Sequence, residues 1–317
     1  VNNFDLVDPG LRPVLEFVPN FDLVPEHLPA IRELVLAMVQ STPGLDASGT
    51  CEEMHIDGLD GAPAIRILVY KPRGEGKLRS AILDIHGGGY VMGCAEMARP
   101  EHWALLREFG CVIVSVDYRL APDTAYPGAL EDCYAALKWM HANAEGLGLD
   151  KARIGVSGVS AGGGLAAALA LYVRDKGEQL LSFQHLMCPM LDDRTCTRPN
   201  VGEFVGNYVW TKVNNVFGWT SLLGKPPGTA DVPPYAAPAR AKDLSRLPQA
   251  FIAVGALDLF IQEDLEYGSR LAQAGVPVEL HVYAGAFHGF QLAQDAPITR
   301  IAERDSRAAI RKFLKVD

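Results

Sequence analysis

The stretch Ser157-Gly158-Val159-Ser160-Ala161-Gly162-Gly163-Gly164 decides how this chain is read. An apolar run, Ala152 to Val156, leads into it as a strand, and the alanine- and leucine-rich run Leu165 to Val173 leads out with good helix propensity. Between them lies Gly-x-Ser-x-Gly, the pattern of a sharp strand-to-helix turn that holds a serine hydroxyl exposed. A serine at unfavourable backbone angles needs neighbours two positions away without a Cβ, hence Gly158 and Gly162. A helix starting at Ala161 aims free N–H groups and partial positive charge at the same point. The residues also suit a plain glycine-rich turn or a phosphate-binding loop, and two further motifs choose between these readings.

Around this centre the chain alternates strands and helices. Strands are expected at Ala64–Tyr70, Leu78–Ile85, Cys111–Val116, Phe183–Cys188, Ala250–Val254 and Val278–Tyr283. Helices are expected at Leu28–Gln40, Pro100–Phe109, Leu130–Asn143, Gln262–Ala274 and Thr299–Leu314. Such alternation implies an α/β fold with a mostly parallel sheet and helices on both faces. Residues 1–48 read as an N-terminal helical arm, because a single short helix cannot bury its apolar stripe alone. Residues 49–317 read as one catalytic domain. Within it the alternation breaks over about 189–246, a Pro- and Gly-rich, aromatic-bearing segment read as an inserted cap joined by the arm.

Composition narrows the function classes. With 317 residues, 49% hydrophobic and 21% charged, the chain builds a sizeable core. A net charge of −9 without a basic run argues against nucleic-acid or anionic-membrane partners. Six scattered cysteines without a C-x-x-C pair fit reduced core thiols better than disulfides or a metal site. The chain has no apolar stretch of membrane-spanning length and no leader pattern, so a cytoplasmic protein is expected. It begins at Val1 rather than Met, which leaves a removed presequence open.

A serine hydroxyl is a poor nucleophile and needs a base, usually a histidine oriented by a carboxylate. Of the downstream histidines, His185 and His281 fall inside expected strands, whereas His288 follows one in Ala284-Gly285-Ala286-Phe287-His288-Gly289-Phe290. Asp258 also follows a strand, after Gly255-Ala256-Leu257. Its rivals Glu263 and Asp264 sit where a first helical turn favours acids anyway, and Asp192 and Asp193 lie near the cap entrance. Upstream, His86-Gly87-Gly88-Gly89 leaves a strand with glycines that let backbone N–H groups approach an oxyanion.

Together these motifs resemble the hormone-sensitive-lipase-like branch of α/β-hydrolases, the bacterial family IV carboxylesterases. The resemblance runs from about residue 60 to the C-terminus. It rests on His86–Gly89, Asp117-Tyr118-Arg119-Leu120-Ala121-Pro122, Tyr126–Asp132, Gly158–Gly163, Asp258 and His288-Gly289-Phe290. It implies an α/β-hydrolase fold with a helical cap, Ser160 as nucleophile, Asp258 as acid and His288 as base. Gly88, Gly89 and Ala161 would form the oxyanion hole, with His86 buttressing the loop. The implied activity is hydrolysis of short-chain acyl esters without metal or organic cofactor. An arylacetamide deacetylase or amidase, or a non-enzymatic ligand receptor, would be built on the same fold, and relatives are often homodimers. Tyr90, Phe204, Tyr208 and Trp210 are candidates for the substrate pocket. Two positions depart from the family: Val159 stands where Asp is usual, and Leu259 follows Asp258 where Pro is usual.

Overall fold

The computed structural model describes residues 3–18, 21–40, 48–74, 78–199 and 201–315. Val1 and part of the arm, residues 41–47, lie outside them. Eight strands form one sheet: β1 (Gly49–Ile56), β2 (Ile65–Pro72), β3 (Arg79–Ile85), β4 (Val112–Asp117), β5 (Leu149–Val159), β6 (Phe183–Met187), β7 (Gln249–Gly255) and β8 (Val278–Tyr283). Their order is β1-β2-β4-β3-β5-β6-β7-β8. β2 pairs antiparallel with both β1 and β4, and all pairings from β4 to β8 are parallel. Sequence reading missed β1. Five of its eight residues are exposed, so this edge strand carries little of the apolar pattern that marks a core strand.

The helices are α1 (Leu28–Gln40), α2 (Arg99–Phe109), α3 (Gly128–Ala142), α4 (Ala144–Leu147), α5 (Ala161–Asp175), α6 (Lys212–Leu223), α7 (Ile261–Gln273) and α8 (Pro297–Leu314). Two apolar clusters sandwich the sheet. One joins Val112, Val114 and Val116 of β4 to α3, α5 and α7, and the other joins Ile113 of the same strand to α2 and α8. Both faces of β4 are covered, which is why its sequence is nearly all apolar.

The sheet order reverses beside β3. The chain passes from β3 to β4 on one side and then crosses to β5 on the other. Such a switch point opens a crevice at the strands' C-terminal ends. The loop after β3 and the turn after β5 flank it.

That loop is anchored from behind. Arg119 donates through its guanidinium to both oxygens of Asp132 at 2.8–3.0 Å, and through its backbone N–H at 2.8 Å. Next to it, Tyr118 stacks on His86 with ring centroids 4.1 Å apart, and its hydroxyl donates to the His86 carbonyl at 2.9 Å. From the arm, Arg32 of α1 donates to the Val91 and Ala121 carbonyls and to Asp123. Asp132 is 1% exposed, so removing its partner leaves a buried charge short of donors. Arg119→Ala is expected to lower unfolding free energy by about 3 kcal/mol, the low end for a broken buried ion pair. Urea denaturation checks this, and a change below about 1 kcal/mol would show that the pair is dispensable.

Candidate active site

The turn after β5 puts Ser160 at φ 57°, ψ −121°, in a region costing a non-glycine residue of order 1–3 kcal/mol. Hydrogen bonds hold it there. Its N–H donates to the Met187 carbonyl at 2.8 Å, and its carbonyl accepts from Gly164 and Met190 at 3.0 and 2.9 Å. Close approach explains Gly162, whose Cβ would stand 2.0 Å from the Ile85 carbonyl oxygen at the end of β3. Helix α5 therefore starts hard against the crevice.

Three strand ends converge on the serine. The Ser160 hydroxyl donates to His288 Nε2 at 3.0 Å, and His288 Nδ1–H donates to Asp258 Oδ2 at 2.8 Å. The tautomer follows from the acceptor-only carboxylate, which requires the proton on Nδ1. The other Asp258 oxygen accepts from the Phe260 N–H at 3.0 Å. All three side chains are buried, and the imidazole meets the Phe260 ring at right angles (5.2 Å) and the tilted indole of Trp210 (6.3 Å). Burial alone pulls the His288 imidazole down, but the adjacent Asp258 carboxylate and Cys188 outweigh it and hold the imidazole well above its ordinary range.

Beside the serine, Gly88 and Gly89 take φ of 113° and 60°. A Cβ on Gly89 would stand 2.0 Å from the Trp210 ring, so only glycine lets the indole lie on this loop. Ala161 is the first residue of α5, so its N–H has no carbonyl one turn back to bond.

The other sequence candidates fall elsewhere. His185 bonds Ser157 and Ser306 and stacks on Phe251, and burial pushes it down to about 4, so it stays neutral. His281 meets Glu279 and Asp305. Asp192 is paired with Arg194 and Arg198, Asp193 with Arg240, and Glu263 accepts from the Leu191 and Asp192 N–H groups. Tyr90 is 1% exposed, donates to the Met190 carbonyl and packs against Trp219, which makes it a support of the loop. Phe204 is 42% exposed and its carbonyl is held by Asn3. Tyr208 lies beside Phe287 and, with Val209, lines a cavity of about 550 Å³ under the N-terminal arm.

Residues 82–292 match the family described as alpha/beta hydrolase fold. A solved structure of a bacterial heroin esterase superposes with a TM-score of 0.91 at 39% identity, covering 98% of this chain and 99% of that one. Esterase LipI of Mycobacterium tuberculosis is 32% identical over 289 residues, 90% of this chain and 88% of LipI. Carboxylesterase NlhH of the same organism is 32% identical over 314 residues, 97% of this chain and 96% of NlhH. This chain belongs to the hormone-sensitive-lipase-like carboxylesterases of the α/β-hydrolase superfamily.

Within that family, the two departures are local. Leu259 is 2% exposed and packs against Gly206, filling space beside Asp258 with apolar side chain. Val159 ends β5 with its side chain 42% exposed. One neighbour of the site escaped sequence reading. Cys188 follows β6, and its sulfur, one Asp258 oxygen and one His288 nitrogen lie within 4.8 Å of one another. The signal was topological: β6 pairs with β5, Met187 opposite Val159, so the next residue lies beside Ser160. Because Val159 points outward, Val159→Asp is expected to change kcat by less than about tenfold, or ~1.4 kcal/mol. Steady-state kinetics on a simple ester measures it, and a large activation would mean that Val159 impairs the enzyme.

Proposed function

We propose that Ser160, His288 and Asp258 act as nucleophile, base and acid in hydrolysing small-molecule carboxylic esters. The observation that carries this reading is the hydrogen-bonded chain from the Ser160 hydroxyl through His288 to Asp258. Ser160 Oγ attacks the carbonyl carbon while its proton passes to His288 Nε2, and Asp258 stabilises the imidazolium. The developing oxyanion is received by the N–H groups of Gly88, Gly89 and Ala161, each such donor contributing about 2.7–4 kcal/mol. His288 returns the proton to the leaving alkoxide. Water, activated by the same imidazole, then releases the acid from the acyl-enzyme.

This mechanism needs neutral imidazole. Below the His288 pKa the ring is protonated and cannot accept the serine proton, so reactivity rises with pH. The raised pKa places the acid limb at or above the ordinary histidine value of about 6.5. A fluorophosphonate should therefore label the Ser160 peptide with a rate that climbs through this limb. Label on another residue, no label on folded protein, or a rate flat from about pH 5 to 9 would sink the assignment. A receptor on the same fold would show no label.

The segment 189–246 and the arm 1–48 act as a cap, on the ground that Trp210 and α6 lie directly on the loop after β3. Gly218 of α6 leaves no room for a Cβ, which would stand 2.7 Å from the Gly89 carbonyl oxygen. Trp210 is 4% exposed and its Nε1–H donates to Asn215 at 3.1 Å, which fixes the indole between Gly89 and His288. Each acyl methylene gains about 0.8 kcal/mol until it meets such a wall, beyond which it must distort the site or stay in water. The preferred substrates are therefore short-chain acyl esters. kcat/KM on p-nitrophenyl esters should peak between acetate and hexanoate and fall steeply by decanoate, and Trp210→Ala should move the peak to longer chains. A wild-type maximum at dodecanoate, or an unmoved peak in the variant, overturns this role for Trp210.

A further inference from the structure

Two of the residues assigned to turnover share their pocket with a thiol that ester hydrolysis does not use. Cys188, Asp258 and His288 offer a sulfur, a carboxylate oxygen and an imidazole nitrogen, all within 4.8 Å of one another and all buried. The three follow neighbouring strands, Cys188 directly after β6 and Asp258 and His288 in the loops after β7 and β8. Cys188 forms no disulfide and sits at φ 38°, its N–H bonded to the Ala253 carbonyl at 2.6 Å, which fixes the backbone that carries the thiol.

We propose that Cys188, His288 and Asp258 form an inhibitory site for a thiophilic divalent cation such as Zn²⁺ or Cd²⁺. Tetrahedral zinc with bonds of about 2.0–2.3 Å needs ligand atoms roughly 3.3–3.6 Å apart. The Nδ1–Oδ2 separation of 2.8 Å must open slightly, and the sulfur must move in by no more than about an ångström and a half. The donor set is selective, because thiolate with imidazole suits Zn²⁺ and Cd²⁺ whereas Mg²⁺ and Ca²⁺ demand oxygen ligands. Binding replaces the thiol proton, which leaves to solvent, while imidazole and carboxylate bind as neutral base and anion. A further acid lies nearby, held in its neutral form because burial pushes its carboxyl well above the usual carboxylate range. Asp264 on α7 is wholly buried with neither carboxyl oxygen hydrogen-bonded among the described residues, and it lies within electrostatic reach of Asp258 and Cys188.

The site stands on this geometry alone, whereas its effect on turnover rests on the reading of His288 as base. With the metal on Nδ1, the neutral imidazole carries its proton on Nε2, the atom that faces Ser160, and cannot accept the serine proton. The experiment therefore separates binding from activity. Cd²⁺ titrated into Ser160→Ala protein should produce a thiolate-to-cadmium ultraviolet absorption band saturating at one equivalent. The band should vanish in Ser160→Ala/Cys188→Ser, where a hydroxyl of similar size replaces the thiol. In protein with Ser160 intact, the Zn²⁺ concentration for half-inhibition should rise at least roughly tenfold on Cys188→Ala or Cys188→Ser, each measured against its own metal-free rate. Mg²⁺ should not inhibit. No band, a band that survives loss of Cys188, or equal inhibition of the Cys188 variants overturns the site. A one-equivalent band that depends on Cys188, together with undiminished turnover, upholds the site and overturns the reading of His288 as base.

Discussion

The contact on which the structure depends is the seating of α5 against the end of β3, where Gly162 meets the Ile85 carbonyl with no room for a Cβ. A helix can begin that close to a parallel strand only if its first turn is stripped of side chains. This seating puts the first N–H groups of α5, the loop Gly87–Gly89 and the Ser160 hydroxyl on one crevice, at the point where the strand order reverses. The strained serine backbone follows from the same requirement, since the chain must turn from strand to helix in a single residue. Its cost is offset by the three hydrogen bonds that tie Ser160 to Met187, Gly164 and Met190.

Electrostatics at the crevice work because water is displaced by specific neighbours. Phe260 and Trp210 meet the imidazole, and Asp258 is 1% exposed with an oxygen left for His288 and another for the Phe260 N–H. In that setting the carboxylate's effect on His288 exceeds the desolvation that opposes it. The same screening from water keeps His185 neutral on β6, where a serine on each side satisfies both ring nitrogens and no carboxylate is bonded to it. Two buried histidines thus lean in opposite directions because one is bonded to a carboxylate and the other to two serines.

Three contacts tie the arm and the segment 189–246 to the loop after β3. Arg32 of α1 bonds the Val91 carbonyl, Gly218 of α6 touches Gly89, and Trp210 covers the same glycine. Gly89, proposed as an oxyanion donor, is thus in direct contact with this layer. Among the described residues no helix is long and apolar enough to cross a membrane.

Much of this was legible in the linear sequence because local chemistry demanded it. Gly-x-Ser-x-Gly between a strand and a helix, a glycine run after a strand, and Asp258 and His288 in loops after strands each state their position without reference to distant residues. The helix Leu28–Gln40 and the strand Val278–Tyr283 have the bounds expected from periodicity. What tertiary structure alone decided depends on residues far apart in the chain. β1 is invisible as a strand because it is an exposed edge, held by pairing with β2 rather than by burial. Tyr90 looks like a pocket aromatic, yet the fold turns its hydroxyl onto the Met190 carbonyl, a hundred residues away. Cys188 reads as an ordinary core thiol, and only the packing of β6 beside β5 and β7 sets it next to Asp258 and His288. Local motifs declare themselves through backbone sterics and hydrogen-bonding needs, whereas adjacency between strand ends exists only once the whole sheet has assembled.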